Sequence, residues 1–367
     1  MPQFLSSSPV SPSLFPDSYA SAHEQWQSCL AVYTCTPEQR HFPVVGGFAP
    51  GGEALVTNDA WFGSQDAGRV LVVIGATHGI EGFTSTAVLL DLVSRLQGPL
   101  PDDLALLCVH ALNPWGYAWH RRCDAMGIDL NRNFVDFSQP LPENPGYREL
   151  RDVLFDDNAS RRQQQLEQYR DKHGQTALEI AISGGQYFDP AGPFYGGQSP
   201  SHGRQTIESL IQEYRLAQRR LAVIDVHTGL GEYGYGEIIC DHAPDSAGAK
   251  TAQNWYGEEC TLPALGTSSS VPKRGLLDYA WHAIMSSGSC FITLEFGTLP
   301  IESIFNVLMW DHRFRASHGS QPLDHPEYPA LVAAMRAHFC PDDTDWRKQV
   351  LARARQVIDR ALAGLLA

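Results

Sequence analysis

Short apolar runs recur along the chain and predict a set of β-strands. Four of them are rich in Val, Ile and Leu: 69–77, 104–112, 221–229 and 290–298. A weaker fifth run covers 236–240. Runs of this length, without the alternation of a half-exposed strand, are typical of strands buried on both faces of a sheet.

Helical patterns lie between these strands. Segment 84–96 places its apolar residues on one side, and the following Gly98-Pro99 is a helix-ending signal. The polar stretch 161–183 and the amphipathic stretch 204–220 also predict helices, within a long insertion at about residues 139–220. Alternating strands and helices predict an α/β fold with a mixed, largely parallel central sheet flanked by helices.

The chain's 367 residues are enough for one large domain or two smaller ones. Residues 1–20 are rich in Ser and Pro, and we expect them to form an arm that is poorly ordered or bound at the surface. Residues 21–367 are expected to form a single domain, because no linker long enough to separate two domains interrupts the pattern.

Composition and charge limit the partners. A formal charge of −14 leaves no concentration of Lys and Arg for binding nucleic acid. No apolar run approaches the roughly 20 residues that span a bilayer, and the first residues lack the pattern of a signal peptide. The eight cysteines are scattered, and Cys108 and Cys290 lie in apolar runs as reduced cysteines do. We therefore expect a cytoplasmic protein without nucleic-acid or membrane partners, and its oligomeric state stays open.

Polar residues follow or end the predicted strands. The first strand leads into His78 and Glu81, the third contains Asp225 and His227, and the last contains Glu295. Ligands of open α/β sheets bind outside the carboxyl ends of the strands, so these side chains are candidates for one site. Two histidines and one glutamate could hold a catalytic zinc ion and leave a fourth position for water.

A third motif lies at 120–134, HRRCDAMGIDLNRNF. The order of HxxE, an arginine followed by GIDLNRNF, a histidine at a strand end and a glutamate in TLEFGT resembles the zinc carboxypeptidases of the M14 type. It is also similar to their relatives, the aspartoacylase and succinylglutamate desuccinylase group. The glycine-flanked HGIEG and DVHTGLG resemble the DUF2817 branch of that superfamily. The resemblance covers roughly residues 69–298 and implies a zinc carboxypeptidase-like α/β/α fold.

The resemblance also implies site residues and one zinc ion per chain. The implied metal ligands are His78, Glu81 and His227. Glu295 would be the general base, Arg122 would polarise the scissile carbonyl, and Asn131 with Arg132 would hold a substrate carboxylate. Arg121 competes with Arg122 for its role. The tyrosine that closes over substrate in digestive carboxypeptidases has no clear counterpart, although Tyr233 and Tyr235 are near in sequence.

The residues themselves agree with this chemistry. A carboxylate such as Glu295 can take a proton from water and return it to a leaving amine. The fork of Arg132 pairs with a carboxylate bidentately, and the amide of Asn131 adds a neutral donor. Asp225 points to the same side of its strand as His227 and suits an acceptor that orients a ligand. For Asp129 a structural role in a turn is favoured.

The leading hypothesis is a zinc-dependent hydrolase that cleaves an amide or peptide bond next to a free carboxylate. Its substrate would be a small peptide, as for a carboxypeptidase, or an N-acyl amino acid, as for a deacylase of the aspartoacylase type. The 139–220 insertion could be a wall that narrows the site. A non-catalytic metal-binding protein is the alternative from another class. A serine hydrolase is disfavoured because the chain has no GxSxG motif.

Overall fold

One sheet organises the chain. In this computed structural model, which describes residues 4–33, 36–319 and 321–367, the sheet has eight strands. They are β1 (Glu38–Phe48), β2 (Ala54–Phe62), β3 (Arg69–Gly75), β4 (Leu104–His110), β5 (Arg220–Gly229), β6 (Gly236–Ile239), β7 (Cys260–Thr261) and β8 (Cys290–Gly297). All five predicted strands are present, with ends that shift by at most two residues.

The order of the strands is β1-β2-β4-β3-β5-β8-β6-β7. The neighbours β4, β3, β5 and β8 are mutually parallel. At one edge β2 pairs antiparallel with β4 and β1 with β2. At the other edge β6 pairs antiparallel with β8 and parallel with β7. The predicted mixed, largely parallel sheet is confirmed. Its parallel centre sends the carboxyl ends of β3, β5 and β8 to the same edge.

Helices cover both faces of this sheet. They are α1 (Tyr19–Ala31), α2 (Gly82–Ser94), α3 (Pro114–Ala118), α4 (Pro145–Leu154), α5 (Ala159–His173), α6 (Gln175–Ser183), α7 (His202–Glu213), α8 (Ala247–Tyr256), α9 (Asp278–His282), α10 (Ile301–His318), α11 (Tyr328–Phe339) and α12 (Thr344–Leu366). Short 3-10 turns include Gly79–Glu81 and Leu130–Arg132.

Successive residues of the central strands face opposite cores. In β3, Leu71 and Val73 belong to the core under α2 and α12, whereas Val70 and Val72 belong to the core under α7 and α9. Each of these side chains is fully buried. A strand covered on both sides needs apolar residues at every position, which explains the continuous apolar runs of the sequence.

The helices of the insertion differ in detail from their prediction. The stretch 161–183 forms two helices, because Gly174 adopts a φ of +93° that a right-handed helix does not allow. The stretch 204–220 ends as a helix at Glu213, where Arg215 takes a left-handed conformation with φ +50°, and Arg220 already begins β5. A small core of their own joins α4, α5 and α6 to Met309 of α10.

The described part of the predicted N-terminal arm is held against the body. Leu5 pairs with Leu96 beyond the end of α2, and Leu5 and Phe15 are both buried. Residues 1–3 of that arm, and Cys35 among the cysteines, lie outside the described residues.

The seven described cysteines form no disulfide. None of the helices in the described ranges combines the length and apolar character needed to cross a bilayer.

Strand β2 carries a buried carboxyl group that makes stability depend on pH. Asp59 is fully buried and accepts hydrogen bonds from the Arg40 backbone N–H at 2.9 Å and the Tyr214 hydroxyl at 3.2 Å. Burial nevertheless raises the pKa of Asp59 to about 6. The folded state therefore holds this proton over a pH range in which the unfolded chain has released it.

We predict that Asp59 stabilises the fold at pH 4 and loses this contribution as the pH rises through 6. Relative to Asp59→Asn, which stays neutral, the wild type should lose about 2–3 kcal/mol of unfolding free energy between pH 4 and pH 7. Denaturant titrations of both proteins across this range measure the difference. A wild-type free energy of unfolding that stays constant or rises with pH, relative to that of Asp59→Asn, contradicts the assignment.

Candidate metal and catalytic site

A tight turn after β3 positions the first two candidate ligands. His78 precedes the 3-10 turn Gly79–Glu81, and α2 begins at the next residue. The turn lies so close to α3 that a Cβ on Gly79 would be 2.0 Å from the carbonyl carbon of Gly116. Only glycine permits this approach, which places His78 and Glu81 on the same side of the turn.

Neighbouring strands position two further groups of the site, one imidazole and one carboxylate. His227 of β5 and Glu295 of β8 are register partners in a parallel pair, so their side chains stand next to each other on one face. Glu295 is 8% exposed, and its Oε1 accepts a hydrogen bond from the Leu230 backbone N–H at 3.0 Å. Burial, together with the charge of Glu81, raises the pKa of Glu295 to about 7.

Three donor atoms converge on one point. The Nδ1 atom of His78 lies 2.9 Å from Glu81 Oε1, and the Nδ1 atom of His227 lies 3.0 Å from Glu81 Oε2. The two Nδ1 atoms are 3.1 Å apart. All three residues are buried, and they are the only group of described residues with ligand atoms close enough to hold a metal ion.

The opposite nitrogen of each ring faces a carboxylate. His227 Nε2 lies 2.6 Å from Asp225 Oδ2, and His78 Nε2 lies 3.2 Å from Asp129 Oδ1. A neutral imidazole that donates its Nε2–H to a carboxylate presents a lone pair at Nδ1. Burial opposes a charge on His227, but Asp225 and Glu81 raise its pKa well above the usual range, so without a metal ion a proton lies between this ring and Glu81. A cation bound by the three residues would take the place of that proton. Two imidazole nitrogens and one carboxylate oxygen suit zinc, although they also accept manganese or cobalt.

The loop 120–134 runs beside the turn after β3. The backbone N–H groups of Gly79 and Ile80 donate to the carbonyls of Arg122 and Arg121 at 3.2 and 2.8 Å. Arg122 reaches the site, where its Nε donates to Asp129 Oδ2 at 2.9 Å. Its Nη1 is 3.6 Å from Glu81 Oε1.

Arg121 points away from the site. Its Nε donates to the buried Asp311 of α10 at 2.7 Å, and its side chain does not line the site cavity, whereas that of Arg122 does. Among the tyrosines, Tyr233 donates to Asp343 at 3.0 Å, and both Tyr233 and Tyr235 are 42% exposed. No tyrosine of the described residues lines the cavity.

Asn131 and Arg132 line the same cavity. Arg132 is fully buried, and its Nε and Nη2 donate to the Ser183 carbonyl at 3.1 and 2.8 Å. Its Nη1 donates to the Asn131 carbonyl at 2.5 Å. A guanidinium has five N–H donors, so one donor on each Nη remains. Asn131 Oδ1 accepts from the Leu277 N–H at 2.8 Å, which leaves its Nδ2 donors.

The cavity has a volume of about 410 Å³, which is in the range of small-molecule sites. Six of the seven predicted site residues line it, and Glu81 is buried behind the two histidines. Helices α5 and α6 of the insertion supply part of its wall. The cavity also contains Asp241 and Lys273, and burial together with the charge of Arg132 lowers the pKa of Lys273 to about 8.

Sequence reasoning missed the place of Asp129 beside His78. The sequence contained a clue to it. A metal-binding histidine needs an acceptor for its second nitrogen, and Asp225 could serve only His227, so His78 still required one. Asp129 was the acidic residue of the DLNRNF motif. Lys273 and Asp241 had no recognisable signal, because they lie in loops whose course depends on the folded chain. Glu237 of β6 accepts a hydrogen bond from Ser268 Oγ at 2.8 Å and so anchors the loop that leads to Lys273.

Comparisons with known proteins give one family. The model of a family described as "Protein of unknown function (DUF2817)" matches residues 15–353. A search of curated protein sequences found no match.

Solved structures with a similar chain course include an amidase and two carboxypeptidases. The murein-tripeptide amidase MpaA from Escherichia coli O157 is 20% identical, with 76% of this chain and 91% of that chain covered and a TM-score of 0.39. Carboxypeptidase A from Helicoverpa armigera is 16% identical, with 90% and 77% covered and a TM-score of 0.46. A metallo-carboxypeptidase from Pseudomonas aeruginosa is 14% identical, with 94% and 70% covered and a TM-score of 0.43. All three TM-scores are below 0.5, so the chemistry must be argued from this chain's own residues.

We predict that the carboxylates behind the histidines strengthen zinc binding. Asp225→Asn and Asp129→Asn should each weaken zinc affinity by about 10–100-fold, because the imidazoles lose their orienting acceptors. Competition with a chromophoric chelator measures the affinity. Asp241→Asn, which changes a cavity carboxylate that has no hydrogen bond to either histidine, is the matched control. Unchanged zinc affinity in Asp225→Asn would contradict the arrangement.

Proposed function

Because the chain belongs to the DUF2817 family and carries this site, we propose that it is a zinc-dependent hydrolase that cleaves an amide or peptide bond next to a free carboxylate. One observation carries the proposal: Glu295 stands in register beside His227, so a carboxylate that forms no salt bridge with a described residue adjoins the three candidate ligands. A protein that only stored or bound a metal would have no use for a buried carboxylate in this position.

The candidate ligands are His78, Glu81 and His227. A zinc ion held there would polarise the scissile carbonyl and lower the pKa of a water molecule, as zinc does in hydrolytic enzymes. The remaining chemistry falls to the side chains around it.

Glu295 takes the proton of the attacking water and later delivers it to the leaving nitrogen. A buried carboxylate that no salt bridge fixes in its charged form suits both steps, since it can accept the proton and release it again. Arg122 places positive charge beside the developing oxyanion, and its bond to Asp129 holds the guanidinium in place before substrate arrives.

Asn131 and Arg132 select substrates with a carboxylate next to the scissile bond. The bonds from Arg132 to Ser183 fix its guanidinium and leave donors on both Nη atoms for a carboxylate. This is the substrate feature shared by C-terminal peptides and N-acyl amino acids. Both substrate classes therefore belong in the first assays.

We predict that Glu295→Gln abolishes turnover while preserving metal binding. The amide has the shape of the carboxylate but cannot accept the proton, so kcat should fall by about 10²–10⁴-fold. The assay uses zinc-loaded protein with a panel of C-terminally free peptides and N-acyl amino acids, and a chelator control. Wild-type turnover that is insensitive to the chelator, or equal to that of Glu295→Gln, would refute the proposal.

A pair of charge-preserving substitutions separates the two neighbouring arginines. Arg122→Lys should lower kcat by about 100-fold, because a lysine cannot reproduce the guanidinium geometry at the oxyanion. Arg121→Lys should leave kcat within about threefold and lower the melting temperature, because it weakens the buried pair with Asp311. Steady-state kinetics and thermal unfolding of both variants measure this. An equal loss of kcat in the two variants would contradict it.

A further inference from the structure

The site cavity is chemically divided. Its end near Arg132 is lined by ionic and hydroxyl groups, which include Asn131, Asp241, Ser269 and Lys273. A second part of the lining, the apolar wall, is formed mainly by Leu166, Leu178, Ile182, Ile304, Phe305 and Leu308. A substrate that fills this cavity must therefore have one polar part and one apolar part.

The apolar wall is a packed structure. Leu166 of α5 is buried in the small core shared with α4 and α10, and Leu178 and Phe305 pack against that core. Ile304 and Leu308 of α10 are buried in the larger core. Because both sides of the wall rest on packed side chains, the apolar surface is formed before a ligand arrives.

The position of Asn131 and Arg132 indicates which part of the cavity each half of the substrate occupies. The leaving amino acid extends from the scissile bond towards Asn131 and Arg132, at the polar end. The apolar wall, from α5, α6 and α10, is the part of the lining that remains for the acyl half. The wall side chains carry no hydrogen-bonding group, so the amides of a longer peptide would lose water there without gaining partners. An alkyl or aryl chain loses no hydrogen bond.

The polar groups at the rim of this wall are partly paired with each other. Gln163 donates to Glu167 at 3.0 Å on α5, and Gln175 donates to Glu179 at 2.7 Å on α6. These i, i+4 pairs, together with the exposed Arg170 and Glu302, are the charged and amide side chains that α5, α6 and α10 add to the lining.

We propose that the substrate is an N-acyl amino acid with an apolar acyl chain, and that the insertion helices α5 and α6 with α10 form its acyl subsite. This inference rests on the proposed hydrolase function and names the substrate class of that site.

Acyl-chain length is the first test. With zinc-loaded wild type and N-acyl derivatives of one amino acid, from acetyl to octanoyl, kcat/KM should rise about threefold per added CH₂, as expected for alkyl groups that leave water. The rise should total at least about 100-fold over the series. Equal rates for acetyl and octanoyl substrates, or faster cleavage of tripeptides than of octanoyl substrates, would overturn the inference.

A matched pair of substitutions on α6 is the second test. Leu178 lines the cavity, whereas Ile180 on the same helix is 39% exposed and does not. Leu178→Asn should lower kcat/KM for the octanoyl substrate at least about tenfold and for the acetyl substrate less than threefold. Ile180→Asn should change neither. Ile301→Asn, at a cavity position that is 57% exposed, repeats the test with little risk to folding.

Binding of alkanoates separates this inference from the hydrolase proposal. Calorimetry with decanoate and butanoate should show tighter decanoate binding to wild type and to Glu295→Gln, and weaker decanoate binding to Leu178→Asn. Decanoate selectivity without hydrolysis of any acyl substrate would support the subsite and refute the hydrolase. Hydrolysis without chain-length dependence, or no decanoate selectivity at all, would overturn the subsite.

Discussion

The bond between each site histidine and a buried carboxylate is the interaction on which the rest of the site depends. Asp225 and Asp129 turn the Nδ1 atoms of His227 and His78 towards Glu81, and they do so from opposite sides. Without these acceptors the rings could rotate or exchange tautomers, and the three donor atoms would no longer share a point. Asp129 also holds Arg122, so one carboxylate connects the candidate metal ligands with the arginine proposed to face the oxyanion.

The sheet makes this convergence possible. Parallel strands deliver their carboxyl ends to one edge, where His227 and Glu295 are neighbours by register and the turn after β3 brings in His78 and Glu81. The insertion then closes one side of the cavity with apolar side chains. A strand framework thus positions the candidate site, and helices outside the framework line the cavity beside it.

Sequence patterns predicted the central strands because a strand covered on both faces must be continuously apolar. They did not reveal β2, whose Thr57, Asn58 and Asp59 are buried polar residues with partners from distant segments. A local sequence pattern contains no information about partners that are distant along the chain. The same limit applies to the site: strand-end residues and motifs named the ligands and Glu295, while Asp241 and Lys273 entered the cavity through loops that only tertiary contacts position.

A crystal structure of the zinc-loaded protein with a bound N-acyl amino acid, solved in the Glu295→Gln variant, tests the account most directly. The account predicts one zinc ion per chain bound by Nδ1 of His78, Nδ1 of His227 and Glu81, with the substrate carboxylate on Asn131 and Arg132. Zinc bound through other atoms, or a substrate carboxylate bound away from Arg132, would contradict it.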